Sequence, residues 1–123
     1  MITFDTGALI AIERRDRRML AFLTSALANG TRITVPTCVV AEWWHGQRGP
    51  AARILDAVII EPLTLGLAQT VGEARKAVRG STVVDLVVVA SAARRGDLVI
   101  TSDMDDLGRI RDVAFPGVRL RRV

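Results

Sequence analysis

Four carboxylates stand where the chain pattern gives them little ordinary work: Asp5, Glu42, Asp85 and Asp103. Asp5 directly follows the apolar run Ile2-Thr3-Phe4, and Asp103 follows Leu98-Val99-Ile100 by three residues. Glu42 interrupts the apolar stretch from Val39 to Trp44, and Asp85 opens a stretch to Ala93 that is apolar nearly all round. A carboxylate buried there without a partner costs several kcal/mol or takes a proton. Each has a plainer reading. Asp5 and Asp103 suit helix N-caps, Glu42 can occupy a narrow exposed stripe, and Thr82-x-x-Asp85 spells a capping box. Ser102-x-x-Asp105 spells another, with Asp106 one position further. One arrangement accounts for all four acids together: they point into a single cleft. Clustered carboxylates repel one another, so the cluster needs a cation. Oxygen-only ligands suit Mg²⁺ or Mn²⁺, and no Cys/His set resembles a zinc site. Such an ion lowers the pKa of bound water, polarises a phosphoryl oxygen and steadies a leaving oxygen.

The elements that must position these acids alternate. Strands are expected at Ile2–Phe4, Arg32–Val35, Val58–Ile60 and Leu98–Ile100, with a possible edge strand at Val118–Leu120. Helices are expected from Thr6 to Arg14, Asp16 to Ala28, Thr37 to His45, Ala51 to Ala57, Leu65 to Arg79, Thr82 to Arg95 and Asp103 to Arg111. Asn29-Gly30, Gly46–Pro50, Gly80 and Gly96 punctuate them. Short apolar strands alternating with helices imply an α/β domain of three layers. A short, mostly parallel central sheet of four or five strands is covered by helices on both faces. Ligands of such sheets bind beyond the carboxyl ends of the strands. Asp5 and Asp103 lie at those ends, and Glu42 and Asp85 fall in the first turns of helices that begin there.

The chain has 123 residues, and residues 1–123 form a single domain large enough to bury a core. Half of it is hydrophobic and 24% is charged, which excludes a disordered chain. Cys38 is the only cysteine, so no internal disulfide forms and a reducing compartment is expected. No apolar run approaches a membrane span, and residues 1–4 lack the basic region of a signal peptide. These features point to a cytoplasmic protein without membrane contact. The net charge is +4, and all of the 17 bases are arginine except Lys76. Arginine suits bidentate phosphate contact, although coding bias explains the same preference. Two dense patches stand out, Arg14-Arg15-x-Arg17-Arg18 and Arg119-x-Arg121-Arg122.

In their order and placement, Asp5-Thr6-Gly7-Ala8-Leu9, Ala41-Glu42, Asp85 with its helix ending Arg94-Arg95-Gly96, and Thr101-Ser102-Asp103 resemble the PIN-domain signature. The compact length and the N-terminal Asp-Thr motif look like the VapC-type toxins of bacterial toxin–antitoxin pairs. The resemblance covers the whole chain. It implies a metal-dependent endoribonuclease that cuts single-stranded or loop RNA, such as structured loops of tRNA or rRNA. It also implies a homodimer and a small antitoxin whose tail enters the acidic groove. By position, Asp5, Glu42, Asp85 and Asp103 take the four acidic roles. Asp5, Asp85 and Asp103 would hold the metal, directly or through water, and Glu42 would ligate it or orient the attacking water. Thr6 matches the first-motif hydroxyl. The polar residue near the fourth acid falls on Thr101 or Ser102, and Asp106 is an auxiliary acid. Hydrolysis would leave a 5′-phosphate and a 3′-hydroxyl.

His45, the only histidine, has no nucleophile near it in the pattern and is expected to be structural. Cys38 is expected to be a small buried hydrophobe, and Trp43 and Trp44 to serve core or dimer contacts rather than base stacking. A phospho-receiver domain also places acids at strand ends. It would need paired acids after the first strand and a lysine after a later one, whereas Asp5 stands alone and Lys76 is mid-helix. The remaining rival is a catalytically inactive PIN-like domain that only binds RNA or a protein partner. Metal binding without cleavage separates it from the enzyme.

Overall fold

The three central strands hold apolar residues and threonines because layers on both sides bury them. In the computed structural model, which describes residues 1–123, β1 (Ile2–Phe4) and β2 (Ile33–Pro36) are buried at every position. With β4 (Leu98–Thr101) they form the centre of a five-stranded, all-parallel sheet of order β3-β2-β1-β4-β5. The edges are β3 (Ile59–Glu61) and β5 (Arg119–Arg122), whose alternating arginines discourage pairing with another chain. The sheet is thus wholly parallel with five strands, and the edge strand expected at Val118–Leu120 begins one residue later and runs on to Arg122.

Helices α1 (Thr6–Glu13), α2 (Arg17–Ala28), α3 (Thr37–Trp43) and α4 (Pro50–Ala57) fill the connections from β1 to β2 and from β2 to β3. Helices α5 (Leu65–Ala77) and α6 (Val83–Arg95) return the chain from β3 to β4, and α7 (Met104–Ala114) leads to β5. Helix α6 packs on β1, β2 and β4 with α5 and α7 beside it, and its stretch from Leu86 to Ala92 is entirely buried. That burial explains its apolar circumference. No helix is long and apolar enough to cross a membrane.

Three helix ends differ from expectation by two residues or more: α5 stops at Ala77 rather than Arg79, and the other two have a local reason. Helix α3 stops at Trp43 rather than His45. The Gln47 amide donates to the Trp43 carbonyl at 3.1 Å and accepts from the His45 N–H at 2.8 Å, closing the helix early. Helix α7 runs on to Ala114, because Ala114 packs against the core and continues the face that Leu107 and Ile110 bury.

β1 leads on to β2 on one side, whereas β4 leads on to β5 on the other. The order of strand addition therefore reverses between the parallel strands β1 and β4, and a crevice opens beyond their carboxyl ends. A second polar constellation lies beneath the sheet. Arg95, at the end of α6, donates to Asp97 at 2.8 Å, to Thr3 at 2.9 Å, to Ser91 at 2.8 Å and to Glu61. Thr3 donates to Asp97 at 2.9 Å, and Ser91 donates to Glu61. One guanidinium thereby ties β1, β3, α6 and the turn into β4 together.

Candidate active site

Asp5 ends β1 and caps α1: its carboxylate accepts from the Ala8 N–H at 2.9 Å, and its own N–H donates to Ile100 of β4. It is only 5% exposed. Burial raises its pKa above the ordinary carboxylate value. The Thr101 hydroxyl and the Ala8 and Ser102 N–H groups oppose that rise, and the Asp103 charge adds to it. Asp103 caps α7 through the Asp106 N–H at 3.2 Å, and its own N–H donates to the buried Thr101 hydroxyl at 2.8 Å. The cap is therefore Asp103, not the Ser102–Asp105 box, and Asp105 faces solvent.

Asp85 sits half-buried in the first turn of α6, which the Thr82 hydroxyl caps by accepting its N–H at 3.1 Å. Capping and site are thus compatible uses of one turn. Burial pushes the Asp85 pKa up to about 6; Thr82 opposes the rise, and the charges of Asp103, Glu42 and Asp106 reinforce it. Oxygens of Asp85, Asp103 and Asp106 lie within 4.8 Å of one another. The Asp106 pKa is raised, first by its hydrogen bond with Asp103 and then by that neighbour's charge. Glu42 is exposed, as its plainer reading anticipated, yet its charge is felt at Asp85. Its Oε1 accepts the Thr6 hydroxyl at 2.5 Å, which ties α3 to α1 across the crevice.

The four acids converge from four elements: the end of β1, α3, the start of α6 and the turn after β4. The tightest group, however, is Asp85, Asp103 and Asp106, which brings the auxiliary acid into the centre. Asp5 adjoins it through Asp103. Thr6 and Thr101 brace acids by hydrogen bonds, whereas Ser102 is exposed. The donor set fits a hard divalent cation: every ligand atom is a carboxylate oxygen, and a cation would offset the burial and the lesser mutual repulsion that raise the Asp5 and Asp85 pKa values.

Gly7 does work that its type alone did not disclose. A Cβ there would stand 1.9 Å from the Ser102 Oγ and 2.6 Å from its Cβ. Its bare backbone lets α1 close against the turn after β4 and so brings Asp5 to Asp103. Its place inside the Asp5-Thr6-Gly7 motif was the only available signal. The other residues fall outside the centre. Trp43 is buried and donates to Glu13 at 3.2 Å, while Trp44 is exposed. His45 meets the same Glu13 carboxylate at 3.0 Å, a structural contact. Cys38 is half-buried against the core rather than enclosed.

Fold and centre together define a three-layer α/β domain with a carboxylate cluster at the switch point of its sheet. The PIN domain profile matches residues 2–115, and the chain belongs to the PIN domain family. Solved structures with the same fold include a chain of VapBC2 from Rickettsia felis bound to a promoter DNA fragment. It has a TM-score of 0.73 and 18% identity, over 100% of this chain and 99% of that one. A chain of DNA-bound VapBC from Salmonella typhimurium gives a TM-score of 0.74 and 16% identity, over 98% and 96%. One from FitAcB of Neisseria gonorrhoeae gives 0.69 and 20%, over 98% and 96%. No curated protein sequence matches the chain.

Proposed function

We propose that this protein is a Mg²⁺- or Mn²⁺-dependent endoribonuclease of the VapC toxin type, neutralised by a small antitoxin. The observation that carries the reading is the carboxylate cluster of Asp85, Asp103 and Asp106, with Asp5 and Glu42 beside it, at the β1/β4 crevice. The PIN domain family and the toxin–antitoxin complexes that share the fold support it. Asp85, Asp103 and Asp106 would hold the cation, with Asp5 as a further ligand directly or through water. When bound, the cation supplies Lewis acidity at a phosphoryl oxygen and a lowered pKa for water. Glu42 uses Oε1 for Thr6 and keeps Oε2 free to take a proton from the attacking water. Hydrolysis leaves a 5′-phosphate and a 3′-hydroxyl. Single-stranded or loop RNA, as in tRNA or rRNA, is the substrate class that an open crevice admits. A homodimer working in the cytoplasm completes the reading.

Cleavage of a mixed small-RNA pool with added Mg²⁺ or Mn²⁺ tests it, with Asp5→Asn and Asp85→Asn as comparisons. Discrete metal-dependent cuts that both variants lose are expected. Absent cuts, or cuts that survive both substitutions, overturn the catalytic assignment. Metal binding without cleavage would leave a binding-only domain.

A further inference from the structure

Two runs of arginine far apart in sequence meet in space. A hollow between α2 and β5 is lined by Arg18, Arg121 and Arg122, with Met19 and Phe22 beneath them. A second hollow adjoins it at Val123 and is lined by Arg14 and Ser102. The Val123 N–H donates to the Thr101 carbonyl at 2.8 Å, so the two hollows meet at the end of β4. Sharing Val123, they form one groove that reaches Ser102, the residue next to Asp103 of the acidic centre. Arg14, Arg18, Arg121 and Arg122 take part in none of the molecule's ion pairs. Asp16, the one acid in the groove, is committed to capping α2 through the Met19 N–H at 2.9 Å. The Arg121 guanidinium lies 5.2 Å above the Phe22 ring, which orients its plane and leaves its N–H donors free.

We propose that this groove carries the ribose-phosphate backbone of the RNA strand beside the cleavage point, with Arg18, Arg121 and Arg122 gripping its phosphates. The inference rests on the ribonuclease reading and assigns its substrate track. Three unpaired guanidinium forks match anionic oxygens, the lining holds no side-chain amide, and its one side-chain carboxylate, Asp16, caps α2 through Oδ1. An acidic polypeptide fits less well. It would run from the groove into a cluster of carboxylates, whereas a phosphodiester strand arrives there with the group that the cluster acts on. The positive groove also offsets the repulsion a polyanion meets at the acidic centre.

The test measures binding of a labelled mixed-sequence single-stranded RNA across a salt series, in an Asp85→Asn background that keeps the RNA intact. Arg18→Gln/Arg121→Gln/Arg122→Gln is expected to lower the log–log salt slope by about 2, at ~0.7 per lost phosphate contact, and to weaken binding at least about tenfold. The matching triple Lys variant is expected to keep most of the slope, and Arg75→Gln/Arg79→Gln, on α5 and in the turn just beyond it, to change neither quantity. Should the triple variant melt early, Arg122→Gln alone, which is not stacked on Phe22, is expected to lose about 0.7 of slope. Cleavage by the otherwise wild-type chain is read alongside. Unchanged slope and cutting in the Gln variants overturn the groove and leave the ribonuclease reading standing. Groove-dependent binding without any cutting by the wild type supports the groove and overturns that reading. Absence of RNA binding by the parent overturns both. Loss of poly-glutamate binding with RNA binding intact assigns the groove to an acidic polypeptide and overturns the proposal.

Discussion

Asp85 illustrates how one residue serves a helix cap and a reactive centre at once. Its pKa of about 6 arises chiefly from burial, reinforced by neighbouring acids, so the ionised side chain opposes folding when no cation is bound. The sign follows from linkage. A folded pKa raised above the unfolded value near 4 leaves stability intact below that value and removes it as pH rises through 6. The full shift sets a ceiling of about 3 kcal/mol, and solvent screening at this half-buried site reduces it to about 1 kcal/mol. Asp85→Asn is therefore expected to raise the melting temperature in chelator at pH 8, with the gain fading toward pH 4. Melting curves across that range check it, and a variant less stable at pH 8 contradicts the cost of burying the charge. The four acids were legible in the sequence because charge inside apolar runs demands a reason. That Asp106 joins Asp85 and Asp103 more closely than Asp5 does was not legible, because it depends on the turn after β4 and the angle at which α7 leaves it.

At the scale of elements, the alternation of strands and helices was readable throughout, since the apolar runs and Gly/Pro punctuation agree with the topology. The contacts between elements were less readable. Nothing in the local pattern shows that α1 must approach the β4–α7 turn closely enough to exclude a Cβ at Gly7. Gly7→Ala is expected to destabilise the fold by about 1 to 3 kcal/mol through overpacking. It should also cost more metal affinity than that loss alone implies, by moving Asp5 from Asp103. Denaturant titration beside Mn²⁺ titration checks this; unchanged values in both would show that Ser102 yields freely. The Arg95 network was equally hidden, because its members come from β1, β3, α6 and the turn into β4. Burial raises the Asp97 pKa, but its bonds from Arg95 and Thr3 outweigh it and hold the value below the usual range. Arg95→Met leaves Glu61 without its cation and Asp97, whose side chain is 1% exposed, with only the Met1 ammonium at 3.2 Å. A loss of about 3 kcal/mol at neutral pH is expected. A depressed carboxylate pKa stabilises above the unfolded value near 4, so the gap to wild type should narrow as pH falls below it. Equal stability at pH 7 would show that the network contributes nothing.

For the whole molecule, the charge distribution matters more than the net +4. The acids gather at the β1/β4 crevice and unpaired arginines flank it along α2 and β5, so the surface is polarised where the sum conceals it. A fold that concentrates like charge is less stable without a counter-ion and gains whatever free energy the ion's binding supplies. At a Mn²⁺ concentration of 100 times its Kd the gain is about 2.7 kcal/mol, a rise on the order of 10 °C in melting temperature for a domain of this size. Because the raised carboxylates of Asp5 and Asp85 must lose their protons first, the rise should be full at pH 8, smaller at pH 6 and nearly absent at pH 4.5. Asp103→Asn should abolish most of it, since Asp103 is common to the close acidic group and to the charge coupling with Asp5. Thermal melts with and without Mn²⁺ at the three pH values decide the matter. A rise that persists in Asp103→Asn, or that ignores pH, places the cation elsewhere on the molecule and removes the basis for hydrolysis at this crevice.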